Sequence, residues 1–403
     1  MGKFWIKVYK KRARIMEKLK IIFSNRKDCF EKPGGDTVQM MKTKEYLEKF
    51  YPVKIEIILS PEKILLDKEA QIVHIFNLDT INETNKLISA AKNSNKKIVL
   101  STIHWNYLDT YYVKYLEFIG LPPINMPTFV KKLLIKIFNI FIRSIPLLHK
   151  KFNNYINKGL YCTKEYILLR KQALNDADFL LPNSTEEMYI CANEFKLNID
   201  YIKQKTIVVP NATDFNPNEK EINQNLKKLN LPNKYIVIAG RIDSTKNQYN
   251  LIKALFREKD IGILIVGRIQ NPKTYSKIQK LAQKRGNVYF LSQIEQKDLI
   301  PIYKNALCHC LPSFYDTTGL VNLEALLCGC PVVVSNSKHC PTKYYKFEKY
   351  GEICNPYSHK SIRNAIFKII KGHKKINLLP EYIKMISYKN VADLTFDAYK
   401  KII

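Results

Sequence analysis

Short apolar runs alternate with longer polar, helix-patterned stretches along the first half of the chain. Leu19-Lys20-Ile21-Ile22-Phe23-Ser24, Val53–Leu59, Ile72–Phe76 and Ile98–Ser101 read as strands, because β-branched and aromatic residues concentrate there. Helical stretches fit at about Thr37–Phe50 and Asn82–Ala91. This alternation predicts βαβ units and a parallel sheet. Phe179–Pro182 and Thr206–Pro210 read as the last strands of this half. A polar, Asn- and Pro-rich stretch, Asn211–Asn233, has the composition of a linker. The alternation then resumes. Strands are predicted at Tyr235–Ala239, Ile261–Val266, Val288–Leu291, Ala306–Leu311 and Pro331–Val334, with helices at Asn247–Phe256 and Val321–Cys328. The tail from Ser387 to Ile403 reads as a terminal helix. Two α/β halves of this kind imply a cleft, with ligands at the carboxyl ends of strands.

The length of 403 residues, with 46% hydrophobic residues, suits two cores better than one. The net charge of +30 attracts anions of any kind, and a lysine-rich composition explains it equally well. Nine cysteines, an odd number, form no paired framework. The Cys308-His309-Cys310 and Cys328-Gly329-Cys330 spacings are not those of a zinc site, so buried free thiols in a reducing compartment are expected. No stretch reaches the roughly 18 apolar residues of a spanning helix, and basic residues interrupt any signal-peptide core.

Candidate chemistry gathers just after predicted strands. In Pro312-Ser313-Phe314-Tyr315-Asp316-Thr317-Thr318-Gly319-Leu320-Val321-Asn322-Leu323-Glu324 a strand ends in a small-residue loop and a helix starts near Gly319. The backbone N–H groups of Thr318–Val321 would form an anion site there. Asp316 and Glu324 can line one cleft at two depths, and carboxylates accept well from vicinal sugar hydroxyls. For a lone acid pair, an acidic helix start is the better explanation. In Gly240-Arg241-Ile242-Asp243-Ser244-Thr245-Lys246, Arg241 and Lys246 can converge on one phosphate group. Pro33-Gly34-Gly35-Asp36 permits close backbone approach, and by itself reads as a turn. His104 lies just past a strand end, where an imidazole can bond a sugar hydroxyl or serve the core; His74, within a strand, reads as structural. Asp176-Ala177-Asp178 mimics a metal-binding D-x-D but precedes a strand and is read as structural.

The order of these blocks, together with Val209-Pro210-Asn211-Ala212-Thr213-Asp214, Cys328-Gly329-Cys330-Pro331-Val332-Val333 and Tyr350-Gly351-Glu352, resembles the family-4 retaining glycosyltransferases. The resemblance covers nearly the whole chain and is densest from Val208 to Pro356. It implies an α/β GT-B fold, with two Rossmann-like domains facing a cleft and a C-terminal helix returning to the N-terminal domain. The implied division is 1–214, a linker 215–232, a nucleotide-sugar domain 233–386 and a helix 387–403. Arg241 and Lys246 would then hold the donor diphosphate, Glu324 the ribose, and Asp316 the transferred sugar. Gly34, Gly35 and Gly240 would lie near the donor, as would Thr318, Gly319, Leu320 and Val321. Gln293 and Ile294 would hold the base, and His104 would lie near sugar and acceptor. The family usually has Glu where Asp316 stands, which draws the carboxylate back by about 1–1.5 Å.

The implied reaction is metal-free transfer of a hexose-type sugar from a nucleotide-sugar to a glycan or lipid-linked acceptor, in the synthesis of surface polysaccharide, lipopolysaccharide or glycolipid. A nucleotide-sugar isomerase or hydrolase and a basic nucleic-acid-binding protein are the alternatives weighed; no nucleic-acid module is recognised. From Phe118 through Lys164 there is no acidic residue, and the Thr128–Arg143 stretch alternates apolar and basic groups. With the basic, aromatic first 18 residues, it suggests peripheral contact of a cytoplasmic enzyme with the anionic inner face of the cell membrane.

Overall fold

The computed structural model describes residues 19–145, 161–218, 231–372 and 376–403. Five strands of the first half form one wholly parallel sheet: β1 (Leu19–Ser24), β2 (Val53–Ile57), β3 (Ile72–Phe76), β4 (Lys97–Ser101) and β5 (Phe179–Leu180), in the order β2-β1-β3-β4-β5. All five residues of β3 are buried, whereas edge strand β2 exposes Lys54 and Glu56. That contrast is why the inner strands read as unbroken apolar runs: helices cover both faces of a parallel sheet. His74 in β3 is structural, as its position predicts. Its Nδ1 lies 2.7 Å from Tyr399 Oη and its Nε2 2.9 Å from Ser101 Oγ. Burial holds the ring neutral, pushed down to about 3.

Tyr399 belongs to the terminal helix Tyr388–Lys400, which packs on the helix Gly35–Phe50. Tyr46 meets Tyr388 at 5.6 Å between ring centres, and Tyr51 stacks on Phe396 at 4.1 Å.

The second sheet contains β6 (Tyr235–Ala239), β7 (Gly262–Val266), β8 (Val288–Leu291), β9 (Cys308–Leu311), β10 (Val332–Ser335) and β11 (Gly351–Cys354). Its order is β11-β10-β9-β6-β7-β8, again all parallel. Counted from β6, this is the doubly wound 3-2-1-4-5-6 order, and its reversal point lies between β6 and β9. Alternate residues feed two cores. Val237, Ala239 and Leu264 pack on one face, Ile236, Ile238 and Ile263 on the other. Cys308 and Cys310 are buried free thiols, and burial pushes the first up to about 12.

Two expectations change. Thr206–Pro210 is not a strand: it makes one bridge, Leu180 to Thr206, followed by Ile207 N–H to Leu180 O and Val209 N–H to Pro182 O. Pro182 and Pro210 have no N–H, so the ladder cannot continue through them. The domain division also shifts. Residues 19–104, 161–211 and 388–403 form one compact unit; 105–145, 212–218, 231–372 and 376–387 form the other. The stretch 105–145, assigned to the first half by sequence order, is held in the second unit by side chains. Trp105 Nε1 donates to Lys338 O at 3.0 Å, and Tyr107 stacks on Tyr315 at 4.6 Å. Glu117 accepts from Ser244 Oγ at 2.8 Å and Asn271 Nδ2 at 3.0 Å. The N-terminal basic residues 1–18 and most of the predicted linker 215–232 lie outside the described residues.

Candidate functional site

The reversal point of the second sheet brings the two strongest sequence blocks together. The loop after β6 carries Gly240, Arg241 and Lys246; the loop after β9 carries Asp316, Thr318 and Gly319. Lys246 Nζ lies 2.6 Å from Asp316 Oδ2, and Ser313 Oγ donates to the same oxygen at 3.1 Å. Asp316 is therefore long enough to reach the cation despite its missing methylene. Its backbone N–H bonds His339 O at 2.9 Å. Phe314 N–H donates to Thr245 O at 2.8 Å, which ties the two loops through their backbones.

Asn247, in the left-handed conformation with φ 64°, completes that tie. Its Nδ2 donates to Pro312 O at 2.8 Å and Pro356 O at 2.9 Å. Three loops are thus joined at one buried amide. Gln248 Nε2 bonds Arg241 O at 2.9 Å and shapes the turn. The Arg241 side chain itself is exposed and makes no ion pair among the described residues. The same loop thus carries a lysine fixed by Asp316 and an arginine exposed and without an ion pair among the described residues, residue types that suit an incoming polyanion.

The helix Leu320–Leu327 begins at Gly319, whose φ of 68° favours glycine. A Cβ there would lie 2.6 Å from Asn322 Nδ2 and 3.1 Å from Leu311 Cδ2. The first-turn N–H groups of a helix have no partner within it, so Leu320 and Val321 present donors at the loop. Glu324 sits one turn further, 6% exposed. Its Oε1 accepts from Gln296 Nε2 at 2.6 Å. Burial pushes the Glu324 carboxyl up to about 7, against the pull of the Gln296 bond and with Asp214 adding to the rise. Gln293 is exposed after β8, and Ile294 packs partly against the core.

The remaining candidates lie in the first unit. Gly34 caps the helix Gly35–Phe50, which starts two residues earlier than its pattern predicts. Asp36, in its first turn, accepts from Arg26 Nε at 3.0 Å and Asn77 Nδ2 at 3.3 Å. These residues follow β1 and β3, the reversal point of that sheet. His104 is fully buried. Its Nε2 lies 3.1 Å from Glu194 Oε2, and its backbone N–H bonds Glu187 Oε1 at 2.8 Å. The imidazole is therefore tethered by a carboxylate of its own unit.

The D-x-D acids are structural, as their position suggests. Asp176 pairs with Lys92 at 2.8 Å, while Asp178 accepts from Ile98 N–H at 2.7 Å. Among the described residues no three His, Cys, Asp or Glu side chains converge as a metal set. Gln296, Ser313 and Asn247 escaped the sequence reading. Gln296 and Asn247 are common polar residues whose partners are distant in the chain, and Ser313 is a common loop residue that bonds Asp316 three positions on. Asn directly before a helical pattern, at 247, is the one local signal available.

One helix presents a different surface. In Thr128–Ser144, Lys131, Ile135, Phe138 and Ile142 face inward. Phe129, Leu133, Ile137, Ile140 and Phe141 are exposed, as are Lys132, Lys136 and Arg143. Lys131 does not join that basic face: its Nζ lies 2.5 Å from Asp109 Oδ1 and 4.2 Å from the Tyr357 ring centre. No described helix is long and apolar enough to cross a membrane.

Residues 219–385 match the family described as Glycosyl transferases group 1. A probable sucrose-phosphate synthase of Thermosipho melanesiensis is 28% identical over 224 residues, or 52% of this chain and 51% of that protein. A D-inositol 3-phosphate glycosyltransferase of Corynebacterium glutamicum is 26% identical over 183 residues, or 42% of this chain and 43% of that protein. The chain thus spans about half the length of the curated relatives it matches. Among solved structures, Anabaena HepE in complex with UDP superposes with a TM-score of 0.68 at 15% identity, covering 95% of this chain and 100% of that one. The lipopolysaccharide outer core galactosyltransferase WaaB in its apo form gives 0.61 at 15% identity, covering 96% of this chain and 100% of that one. Residues 219–385 are accordingly a glycosyl transferases group 1 domain, in a chain of GT-B fold.

Proposed function

We propose that this protein is a retaining glycosyltransferase of the family-4 type. It moves a hexose-type sugar from a nucleotide-sugar to a glycan or lipid-linked acceptor in surface polysaccharide, lipopolysaccharide or glycolipid synthesis. The observation that carries the reading is the meeting of Lys246 and Asp316, at 2.6 Å, at the reversal point of a doubly wound sheet. In this reading Arg241 and Lys246 take the donor diphosphate, joined by the amides of Thr318–Val321, with Gly240 allowing close approach. Glu324 takes the ribose, Asp316 the transferred sugar, and Gln293 with Ile294 the base. As the glycosidic bond breaks, charge grows on the leaving diphosphate. Fixed cations and N–H donors offset it without reorganising. Gly34, Gly35 and His104 join the proposal through the family resemblance, and the transfer is proposed to need no metal.

HepE has been solved with UDP and with UDP-glucose, which makes UDP-glucose the first donor to try. The exposed apolar face of Thr128–Ser144, edged by Lys132, Lys136 and Arg143, supports peripheral contact with an anionic leaflet. The nine free thiols suit a cytoplasmic setting.

Thermal stabilisation by a panel of UDP-, GDP- and ADP-sugars tests the donor. A ligand at 100 times its Kd adds about 2.7 kcal/mol. The effective donor should raise the melting temperature of the parent. Arg241→Ala and Glu324→Ala should each lose that rise while remaining folded. Two variants that respond as the parent does would remove the donor assignment.

A further inference from the structure

Between the strand end that leads to Arg241 and the turn that leads to Glu324 lies a buried histidine that the reading above does not use. His309 stands in β9 and is fully buried. β6 and β9 pair only at Ile236–Cys308 and Val237–His309. Beyond that point the imidazole replaces the ladder: Ala239 N–H donates to His309 Nε2 at 3.2 Å. A backbone amide can only donate, so Nε2 is the bare nitrogen and the proton sits on Nδ1. Nδ1 lies 2.9 Å from Asn322 Oδ1. Asn322 Nδ2 donates to Thr318 O at 3.2 Å, and its backbone N–H donates to Gly319 O at 2.8 Å.

Three directional bonds therefore run from Ala239, one residue before Gly240 and Arg241, to Thr318, one residue before Gly319. All four residues in the chain of bonds are buried. Burial holds the ring neutral, down to about 4, and the Tyr303 ring stands edge-on to it at 5.6 Å. An apolar side chain here would strand the buried Ala239 N–H and the Asn322 amide oxygen. Two buried polar side chains are tolerated only when their bonds are matched, and here the chain of bonds ends at the last residue of β6 and at Thr318 in the loop after β9.

We propose that His309 and Asn322 are positioning residues for the donor diphosphate, fixing the spacing between the Arg241–Lys246 loop and the amides that open the Leu320–Leu327 helix. The proposal rests on the reading of that region as a diphosphate site. Misplacement on the scale of an ångström is enough to spoil such a grip.

The test titrates UDP and UMP against the parent, Arg241→Ala, His309→Leu, His309→Gln and Asn322→Ala. The GDP/GMP and ADP/AMP pairs replace them if the parent selects another base. The parent should prefer the diphosphate to the monophosphate, and Arg241→Ala should lose that preference. His309→Leu and Asn322→Ala should lose about tenfold in diphosphate affinity, the scale of one misplaced charge-assisted bond, while monophosphate affinity stays at the parent's value. His309→Gln, whose one amide can accept from Ala239 and donate to Asn322, should recover most of the loss. A general loosening of the fold would lower both affinities together. That result, or no loss at all, overturns the positioning role. A parent without diphosphate preference, or an Arg241→Ala variant that keeps it, overturns the donor reading instead. Should His309→Leu fail to fold, Asn322→Ala and His309→Gln decide the matter by the same comparison.

Discussion

Glu324→Gln separates the stability of this domain from its proposed function, and pH is the variable that reveals it. The Glu324 carboxyl is 6% exposed, and its proton is held to about 7, where the ordinary value is 4.5. Between those two values the folded chain binds a proton that the unfolded chain has released. Stability therefore falls as pH rises through this window, and the whole loss is present above 7. The difference corresponds to about 3 kcal/mol. Glutamine cannot ionise, yet its oxygen can still accept from Gln296 Nε2. The variant should match the parent near pH 4 and exceed it by up to about 3 kcal/mol at pH 8. For a domain of this size that is a rise in Tm of about 6–12 °C. Nucleotide binding should move the other way. Hydroxyl donors bond an ionised carboxylate more strongly than a neutral one. Parent affinity should thus rise with pH through 7, while the variant's stays flat and lower. Melting curves and nucleotide titrations from pH 4.5 to 8 measure both. A Tm difference that does not change with pH would refute the buried-acid account. A parallel pH dependence of nucleotide affinity in the two proteins would refute the role of Glu324 as a ligand.

Lys131→Met should cost about 1–3 kcal/mol by leaving the half-buried Asp109 carboxylate without its cation, read as a lowered melting temperature. Gly267→Ala should unfold the second unit or abolish soluble expression, because a Cβ there would sit 2.0 Å from Gly240 O at φ 149°; normal melting behaviour would contradict the close packing of those two loops. Phe129→Asp combined with Ile140→Asp should remove sedimentation with anionic phosphatidylglycerol vesicles and leave nucleotide stabilisation intact, since both side chains are exposed, at 73% and 64%; undiminished sedimentation would dismiss this helix as the membrane face.

What the sequence discloses is what depends on neighbours along the chain. The central strands were readable because a sheet covered on both faces needs unbroken apolar runs, and Ile72–Phe76 or Tyr235–Ala239 have no other use for them. Arg241, Lys246 and Asp316 stand out for a related reason: they lie in loops at the carboxyl ends of such runs, where α/β sheets hold ligands, and Glu324 follows in the helix that one of those loops opens. The segment 105–145 was not readable. Its attachment to the second unit depends on pairs such as Tyr107 with Tyr315 and Glu117 with Ser244, and the two members of each are more than 100 residues apart. No periodicity announces such a partner.

His309 shows the same limit from the inside of a strand. Between Cys308 and Cys310 it has the outward character of one more core residue, and its partner Asn322 that of an ordinary helix-start residue. Only the fold reveals that they bond each other and that their far ends fall on Ala239 and Thr318. The charged groups of this site announce their chemistry in the sequence, but their spacing is set by neutral side chains that announce nothing. If the proposed diphosphate site is right, a homologous domain that keeps Arg241, Lys246, Asp316 and Glu324 will still lose diphosphate affinity through one apolar substitution in β9.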